Sequence, residues 1–215
     1  GVVSFKDEVY GTITTKISEL DDFIIARSDG SPTYNLTVVV DDNDMNISHV
    51  IRGEDHISNT PKQILIYNAL GWDLPLFGHL PMILGSDGKR LSKRHGAVGT
   101  QTFKDMGYLP ESLINYLALL GWNPGNNDEI FDINYLINNF SIQNVNKKSA
   151  VFDMTKLDWV SSQKILAKKS SELLELINDF DSSWSSENRN NDFLVKVIEI
   201  IKDRLKTLSD VKDHS

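Results

Sequence analysis

The stretch from Gly85 to Gly96 combines glycines with basic side chains and is the part of the sequence best suited to chemistry. Its cations are Lys89, Arg90, Lys93 and Arg94. Glycines let a backbone come close to an anion, and lysines place mobile positive charge on it, so the stretch is typical of a loop that holds phosphates. It does not match the P-loop, because Gly85 and Gly88 are too close together and Lys89 is not followed by Ser or Thr. A solvated basic turn is the alternative interpretation.

Arg52 is the second candidate, because it opens the polar sequence Arg-Gly-Glu-Asp directly after an apolar run. A guanidinium there can bind a carboxylate through two parallel hydrogen bonds. The same residues also permit a structural ion pair between Arg52 and either Glu54 or Asp55. Tyr34 could present its phenol to the same ligand or could be an ordinary core tyrosine, and the residues alone leave both choices open.

The other acidic and imidazole groups are weaker candidates. Residues 41–44, Asp-Asp-Asn-Asp, could hold a hard cation, but they lack the downstream spacing of an EF-hand, and carboxylates that end a strand more often form turns. Glu54, Asp55 and His56 have neither the cysteines nor the helical His-Glu spacing of a zinc site. His79 could line an adenine pocket or could be a structural histidine. We therefore predict no metal site in this sequence.

Short apolar segments predict the strands that would carry these groups. Leu36–Val40 is apolar and rich in β-branched residues, as expected of a strand buried on both faces. Ile47–Ile51 and Leu80–Leu84 are brief apolar runs closed by turn residues, which indicates two further strands.

A helix is predicted between the last two of these strands. It begins at Thr60 and Pro61, with Thr as the N-cap and Pro at the first helical position, and Gly71 suits its end. Strands joined by such a helix are parallel, and ligands bind beyond the carboxyl ends of parallel strands. Arg52 and the basic stretch are therefore expected to face one crevice.

The remainder of the sequence is predicted to be helical. Apolar residues recur at helical spacing after Leu109, Asp132, Asp153, Ser170 and Asp192. The residues expected to face the core in the first two of these helices are Leu113, Ile114, Leu117, Leu120, Ile133, Leu136, Ile137 and Phe140. The fold class expected is an α/β domain followed by an all-α region.

The composition is that of an ordinary globular protein, with 40% hydrophobic and 24% charged residues among 215. A net charge of -8 argues against bulk nonspecific binding of nucleic acid, so any RNA contact must come from local basic patches. The absence of cysteine excludes disulfides and thiolate metal sites. No apolar run is long enough to span a bilayer, and the cytosol is the expected compartment.

Segments along the whole chain are similar to the glutamyl-tRNA synthetases, which are class I aminoacyl-tRNA synthetases. Residues 90–94, Arg-Leu-Ser-Lys-Arg, resemble the Lys-Met-Ser-Lys-Ser loop of that class in its Lys-Leu-Ser-Lys-Arg form, with Arg90 where lysine is usual. The other similar segments, in the order of the family, are Asp29–Asn35, Val39–Asp42, His49–His56, Asn59–Pro61 and Gly107–Glu111. The family's first signature, of His-Ile-Gly-His type, is absent, so we expect an internal fragment that lacks the N-terminal half of the catalytic domain and is inactive alone.

The resemblance implies that the intact protein activates L-glutamate with ATP and Mg²⁺ and transfers it to the 3′ end of tRNA(Glu). It implies that Lys93 is the catalytic cation on the leaving phosphates, and that Tyr34 and Arg52 bind glutamate. The residues expected to contact ATP are Arg90, Leu91, Ser92, Lys93, Arg94 and His79. The local lysines expected to contact RNA are Lys147, Lys148, Lys164, Lys168 and Lys169.

The resemblance also implies a domain organisation. Residues 1–30 would end an inserted acceptor-stem-binding domain, and residues 31–96 would form the C-terminal half of a Rossmann-like catalytic domain. Residues 97–169 would form a helical stem-contact domain, and residues 170–215 would begin a helical anticodon-binding domain. No zinc is expected in this part of the protein, and a monomer is expected. A noncatalytic RNA- or nucleotide-binding module, and a glutaminyl or nondiscriminating enzyme, are the alternatives.

Overall fold

The computed structural model describes residues 1–92, 99–185 and 190–214. The chain divides into two compact units. The first comprises Gly1–Met82 with Ser141–Ser149, and the second comprises Ile83–Phe140 with Ala150–Ser215. None of the helices in the described ranges is both long and apolar enough to cross a lipid bilayer.

The first unit is built on a mixed sheet with the strand order β2-β1-β4-β3. Its strands are β1 (Val2–Asp7), β2 (Gly11–Lys16), β3 (His49–Gly53) and β4 (Leu76–Leu80). β1 and β2 form an antiparallel hairpin, whereas β4 is parallel to β1 on one side and to β3 on the other. Alternation along β1 buries Val3 and Phe5 against Ile64 and Phe77 in one apolar cluster.

Two helices accompany this sheet, α1 (Tyr34–Asp44) and α2 (Thr60–Leu70). The crossover from β3 through α2 to β4 confirms the predicted parallel arrangement, although its second strand is Leu76–Leu80 and not Leu80–Leu84. Gly71 ends α2 in the left-handed conformation with φ 71°, as its sequence position predicted. The N-cap is Asn59, so Thr60 is the first helical residue.

The prediction of a strand at Leu36–Val40 is wrong, because these residues lie inside α1. A short apolar run fits a buried strand and a buried helix equally well. Helix is selected here by packing, since Val39 is fully buried against Ile66 and Tyr67 of α2. Tertiary contacts thus outweigh the β preference of the valines.

The prediction of one strand at Leu80–Leu84 is also wrong. The strand that pairs with β3 ends at Leu80, and Ile83–Leu84 forms β5, which pairs in parallel with β6 (Ala150–Val151) in a separate small sheet. Pro81 lies between them and has no N–H to donate to a ladder. The apolar run therefore contains two strands rather than one.

The second unit is mainly helical. Its helices are α3 (Thr100–Asp105), α4 (Pro110–Gly121), α5 (Ile133–Asn139), α6 (Met154–Ala167), α7 (Ser170–Phe180) and α8 (Asn191–Ile201). Leu157, Ile165, Leu173 and Ile177 are among its fully buried residues.

Two of these helices begin at the predicted capping residues. The Asp132 carboxylate accepts a hydrogen bond from the Tyr135 N–H, and the Asp153 carboxylate accepts one from the Thr155 N–H. Both caps therefore confirm the predicted helix starts.

The predicted inner faces of α4 and α5 are only partly correct. α4 buries Leu113 and Tyr116, whereas Ile114 and Leu117 are exposed. In α5 only Leu136 is buried, and Ile137 is 72% exposed. Leu136 packs on Trp122 and Phe131, which cover one narrow side of this two-turn helix.

Candidate functional site

Arg52 is held in the first unit by neutral acceptors. It lies on β3, where its Nε donates to His79 Nε2 at 3.2 Å. Its Nη2 donates to Thr60 Oγ1 at 2.9 Å and to Gln63 Oε1 at 2.8 Å. The Nη1 group takes no part in these three bonds, and the Tyr34 side chain is a further hydrogen-bond partner of the guanidinium.

Arg52 and Glu54 do not form the ion pair that the sequence left open as an alternative. Glu54 Oε2 accepts a 2.5 Å hydrogen bond from the Tyr10 hydroxyl, and its Oε1 accepts one of 3.0 Å from the Met82 N–H. Glu54 thus ties the hairpin turn to the segment after β4, whereas Asp42 and Asp55 are the carboxylates close enough to act on Arg52.

Burial lowers the pKa of Arg52, while the nearby Tyr34, Asp42 and Asp55 raise it in part. A guanidinium remains protonated in proteins, so the site carries a half-buried positive charge. Neutral acceptors orient this charge without cancelling it. Such a cation is suited to a small anionic ligand, because partial burial strengthens its attraction for a carboxylate.

Tyr34 is the first residue of α1 and is 49% exposed, so the core-tyrosine alternative does not hold. Its hydroxyl lies 3.3 Å from His56 Nδ1, and the two rings are 6.0 Å apart. Tyr34 is also close enough to Arg52 to raise the pKa of the guanidinium. The structure therefore brings Tyr34 and Arg52 together, as the sequence predicted for a shared ligand.

His79 does not line a pocket. Its side chain is completely buried, with Nδ1 2.6 Å from Asp7 Oδ2 and Nε2 engaged by Arg52. The expectation that His79 contacts adenine is corrected accordingly, since no atom of this ring is open to a ligand. The geometry therefore supports a structural role for His79.

The start of the basic stretch is a tight hairpin in the second unit. The Gly85 N–H donates to the Lys89 carbonyl at 2.8 Å, and the Leu91 N–H donates to the Ile83 carbonyl at 2.8 Å. Gly88 has φ 74°, which the turn requires, so this glycine serves the turn. Leu91 packs against the apolar cluster that contains Phe103 and Phe152. The hairpin thus anchors the chain directly before the central part of the stretch.

The other residues of the stretch that were predicted to contact ATP divide into two groups. Arg90 is exposed and Ser92 is half-buried at the end of the hairpin. Lys93 and Arg94 lie outside the described residues.

The five lysines expected to contact RNA are placed differently. Lys147, Lys148 and Lys169 are exposed. Lys168 is 19% exposed at its side chain and pairs with Glu111 at 2.9 Å and Glu172 at 2.6 Å. The Lys164 ammonium donates to the Phe131 carbonyl, and burial lowers the pKa of Lys164.

Lys164 and Lys168 are therefore tied to their own unit. That they contact RNA stays a prediction, although their ammonium groups are already engaged by protein acceptors.

The acidic residues 41–44 form the last turn of α1, so they do not end a strand. Burial raises the pKa of Asp42, and Arg52 opposes that shift. Across the described ranges there is no group of three or more His, Asp or Glu side chains arranged to hold a metal ion.

The sequence reasoning missed the residues that orient Arg52, namely Asp7, Thr60 and Gln63. A signal existed for two of them. Thr60 and Gln63 are three positions apart, which places both polar side chains on one face of the predicted helix. No local pattern pointed to Asp7, because its partner His79 lies 72 residues away in the sequence.

The chain is similar to several glutamate–tRNA ligases. It is 48% identical over 215 residues to glutamate–tRNA ligase 1 of Syntrophus aciditrophicus, covering 100% of this chain and 45% of that protein. It is 52% identical over 205 residues to the glutamate–tRNA ligase of Vesicomyosocius okutanii, covering 92% of this chain and 43% of that protein. The chain thus spans less than half the length of these relatives.

A solved structure shares the fold. The glutamate tRNA ligase from Elizabethkingia meningosepticum, crystallised in complex with its amino acid, matches with a TM-score of 0.87 and 30% identity, covering 100% of this chain and 46% of that one. The family model for the catalytic domain of class I tRNA synthetases (E and Q) matches residues 1–159. This chain therefore belongs to the catalytic-domain family of the class I tRNA synthetases for E and Q.

Proposed function

We propose that this chain is part of a glutamate–tRNA ligase, an enzyme that activates L-glutamate with ATP and transfers it to the 3′ end of tRNA(Glu). The observation that carries the proposal is the oriented, half-buried Arg52 beside Tyr34, in a chain about half identical to enzymes of that name. A small dicarboxylic amino acid is a substrate that suits the positive charge of Arg52.

Arg52 binds a carboxylate of glutamate in this proposal, with the Tyr34 hydroxyl at the same ligand. Nε and Nη2 are already engaged, so the ligand is approached through Nη1. A neutral amide would gain much less from this cation than a carboxylate, because a hydrogen bond between two ions is about twice as strong as one between neutral groups. The site therefore favours glutamate over glutamine.

Lys93 stabilises the charge that develops on the leaving β- and γ-phosphates of ATP when the glutamate carboxylate attacks the α-phosphorus. A cation aimed at that charge lowers the barrier, because it binds the transition state more tightly than the ground state. In this proposal Arg90, Ser92 and Arg94 contact the same phosphates, and the Leu91 side chain anchors the loop. Mg²⁺ enters with ATP and is held mainly by its phosphates.

The proposed domain organisation follows the resemblance. Residues 1–30 end an acceptor-stem-binding insertion and residues 31–96 belong to the catalytic domain. Residues 97–169 contact the stem of the tRNA, and residues 170–215 begin the anticodon-binding region. The proposed RNA contacts are Lys147, Lys148, Lys164, Lys168 and Lys169, and of these Lys147, Lys148 and Lys169 have exposed side chains.

The test is ATP–pyrophosphate exchange by the full-length protein that carries this chain, with tRNA present and with glutamate or glutamine as the amino acid. We expect exchange with glutamate only, and absence of exchange with glutamate would refute the proposal. Lys93→Ala should lower the rate by about a hundredfold, the scale for loss of one preorganised charge-stabilising group. Lys104→Ala, which removes an exposed lysine of α3, is the matched control and should keep the wild-type rate.

A further inference from the structure

Asp7 is a buried acceptor at the end of β1. Its Oδ1 accepts from the N–H groups of Val9 and Tyr10, at 2.9 and 2.8 Å, and so closes the hairpin turn. Its Oδ2 accepts from the His79 N–H at 3.1 Å and lies 2.6 Å from His79 Nδ1. Both oxygens are therefore engaged, and the carboxylate cannot turn away from the imidazole without losing its hydrogen bonds to the turn.

This contact decides which nitrogen of His79 carries the proton. A carboxylate with donors on both oxygens acts as an acceptor, so Nδ1 must donate to it. In a neutral imidazole the other nitrogen is then an acceptor, and Arg52 Nε lies 3.2 Å from it and Thr60 Oγ1 3.1 Å from it. Because Arg52 Nε can only donate and a hydroxyl can also donate, an unprotonated His79 Nε2 satisfies both neighbours, whereas a proton there would oppose the Arg52 donor.

The network also reaches the second bonded nitrogen of Arg52. Gln63 Nε2 donates to Asn35 Oδ1 at 3.2 Å, which turns Gln63 Oε1 toward Arg52 Nη2. The guanidinium is thus held in its plane from two sides, by β4 at Nε and by α2 at Nη2. Nη1 takes no part in these contacts, and the guanidinium also has a side-chain hydrogen bond with Tyr34.

We propose that Asp7 and His79 are positioning residues, which lock the imidazole in its Nδ1-protonated form so that Arg52 presents Nη1 to a carboxylate of the substrate. This inference rests on the proposed function for the identity of the substrate. The hydrogen-bonded chain from Asp7 through His79 to Arg52 stands on the geometry of the first unit.

A pair of His79 substitutions separates positioning from mere packing. Asparagine ends at the position of Nδ1, so His79→Asn keeps the donor to Asp7 and removes the acceptor for Arg52. Glutamine reaches the position of Nε2, so His79→Gln keeps an acceptor for Arg52 and gives up the bond to Asp7. Both variants lose ring volume, which makes their packing defects comparable.

We expect His79→Asn to raise the KM for glutamate in the exchange assay about tenfold or more, the scale for losing one hydrogen bond to a charged group. His79→Gln should stay within about threefold of wild type, because the acceptor is restored. The KM for ATP should be unchanged in both variants. Equal effects of the two variants on glutamate, or no effect in either, would overturn the proposal.

Nitrogen-15 NMR of histidine in the wild-type protein reads the tautomer without substrate or turnover. We expect a neutral His79 with its proton on Nδ1, and a shift of that proton in Asp7→Asn, whose amide can offer a donor to Nδ1. A proton on Nε2 in the wild type would overturn the proposal even if a variant fails to fold. Absence of glutamate-dependent exchange in the wild type would instead refute the proposed function. The NMR measurement of the tautomer does not depend on that result.

Discussion

At the scale of single residues, the position of Arg52 decides what the first unit can bind. Its guanidinium is oriented by His79, Thr60 and Gln63, all of which are neutral acceptors. An arginine hydrogen-bonded to a carboxylate would be largely neutralised, whereas these three bonds leave the half-buried charge of Arg52 in place, with the Asp42 and Asp55 carboxylates acting on it from nearby. That difference separates an anion site from an ordinary structural ion pair.

Arg52→Ala should therefore weaken glutamate binding by about 2–5 kcal/mol, because one substrate carboxylate would lose its charged partner in a partly dry site. Arg52→Lys should rescue only part of this loss, since an ammonium cannot bond His79, Thr60 and Gln63 in one plane. The measurement is the KM for glutamate, beside a thermal melt that checks folding.

The matched control is Arg27→Ala, which removes an exposed arginine bonded to Ser31 and Pro32 in the same unit. It should leave the KM for glutamate unchanged. A folded Arg52→Ala enzyme with a normal KM for glutamate would show that Arg52 has a structural role alone.

The buried His79 should make the stability of the protein depend on pH. Burial lowers the pKa of His79, Asp7 opposes the shift, and Arg52 and His56 add to it. Below about pH 6.5 the His79 side chain therefore binds a proton more readily in the unfolded state than in the folded state. Because the unfolded state then binds more protons, the free energy of unfolding should fall as the pH drops below that value and level off above it.

Urea unfolding at several values between roughly pH 5 and 8 measures this dependence. His79→Gln should flatten the curve in the region near pH 6, and His49→Gln, which removes an exposed histidine of β3, should not. An unchanged curve in His79→Gln would contradict the assignment of this dependence to His79.

At the scale of elements, local caps and long-range packing have separate effects. α6 begins where the Asp153 carboxylate accepts from the Thr155 N–H at 2.8 Å, which is a contact between near neighbours in sequence. α1 is a helix because Val39 packs into α2, although its own residues favour a strand. The first kind of signal can be read locally, and the second cannot.

Asp153→Ala should lower the free energy of unfolding by about 0.5–2 kcal/mol, because an N-terminal N–H of α6 loses its acceptor. Asp153→Asn should recover most of that loss, since asparagine caps helices about as well as aspartate. Chemical denaturation of the two variants provides the comparison. Equal destabilisation by alanine and asparagine would mean that the carboxylate acts through its charge and not as a cap.

At the scale of the whole molecule, a net charge of -8 means that the proposed tRNA binding would depend on a few local cations. Lys147 and Lys148 are exposed in the first unit, and Lys169 is exposed in the second. By contrast, Lys156 pairs with Glu129 at 2.5 Å, and its charge is therefore compensated within the protein.

Replacing both Lys147 and Lys148 with glutamine should weaken tRNA binding and lower the slope of log affinity against log salt by about one for each phosphate that is no longer neutralised. The reason is that fewer counterions are released on binding. Lys156→Gln is the control and should leave the slope unchanged. An unaltered slope in the double variant would exclude these two lysines from the RNA-binding surface.

Several features of this protein follow from the sequence by itself. Thr60-Pro61 and Gly71 mark the bounds of α2 to within one residue, and Asp132 and Asp153 mark two helix starts, because caps act over one turn of chain. Family membership follows too, since it is carried by short segments that can be read without coordinates. Arg52 and Tyr34 could be singled out in the same way.

Only the tertiary structure decided the rest. It made Leu36–Val40 part of a helix, divided the apolar run Leu80–Leu84 between β4 and β5, and buried His79 between Asp7 and Arg52. Each of these outcomes depends on residues that are distant in the chain and adjacent in the fold. Local sequence specifies which conformations a segment can adopt, but burial and hydrogen bonding with distant partners select among them, and here they also orient the cation on which the proposed glutamate site depends.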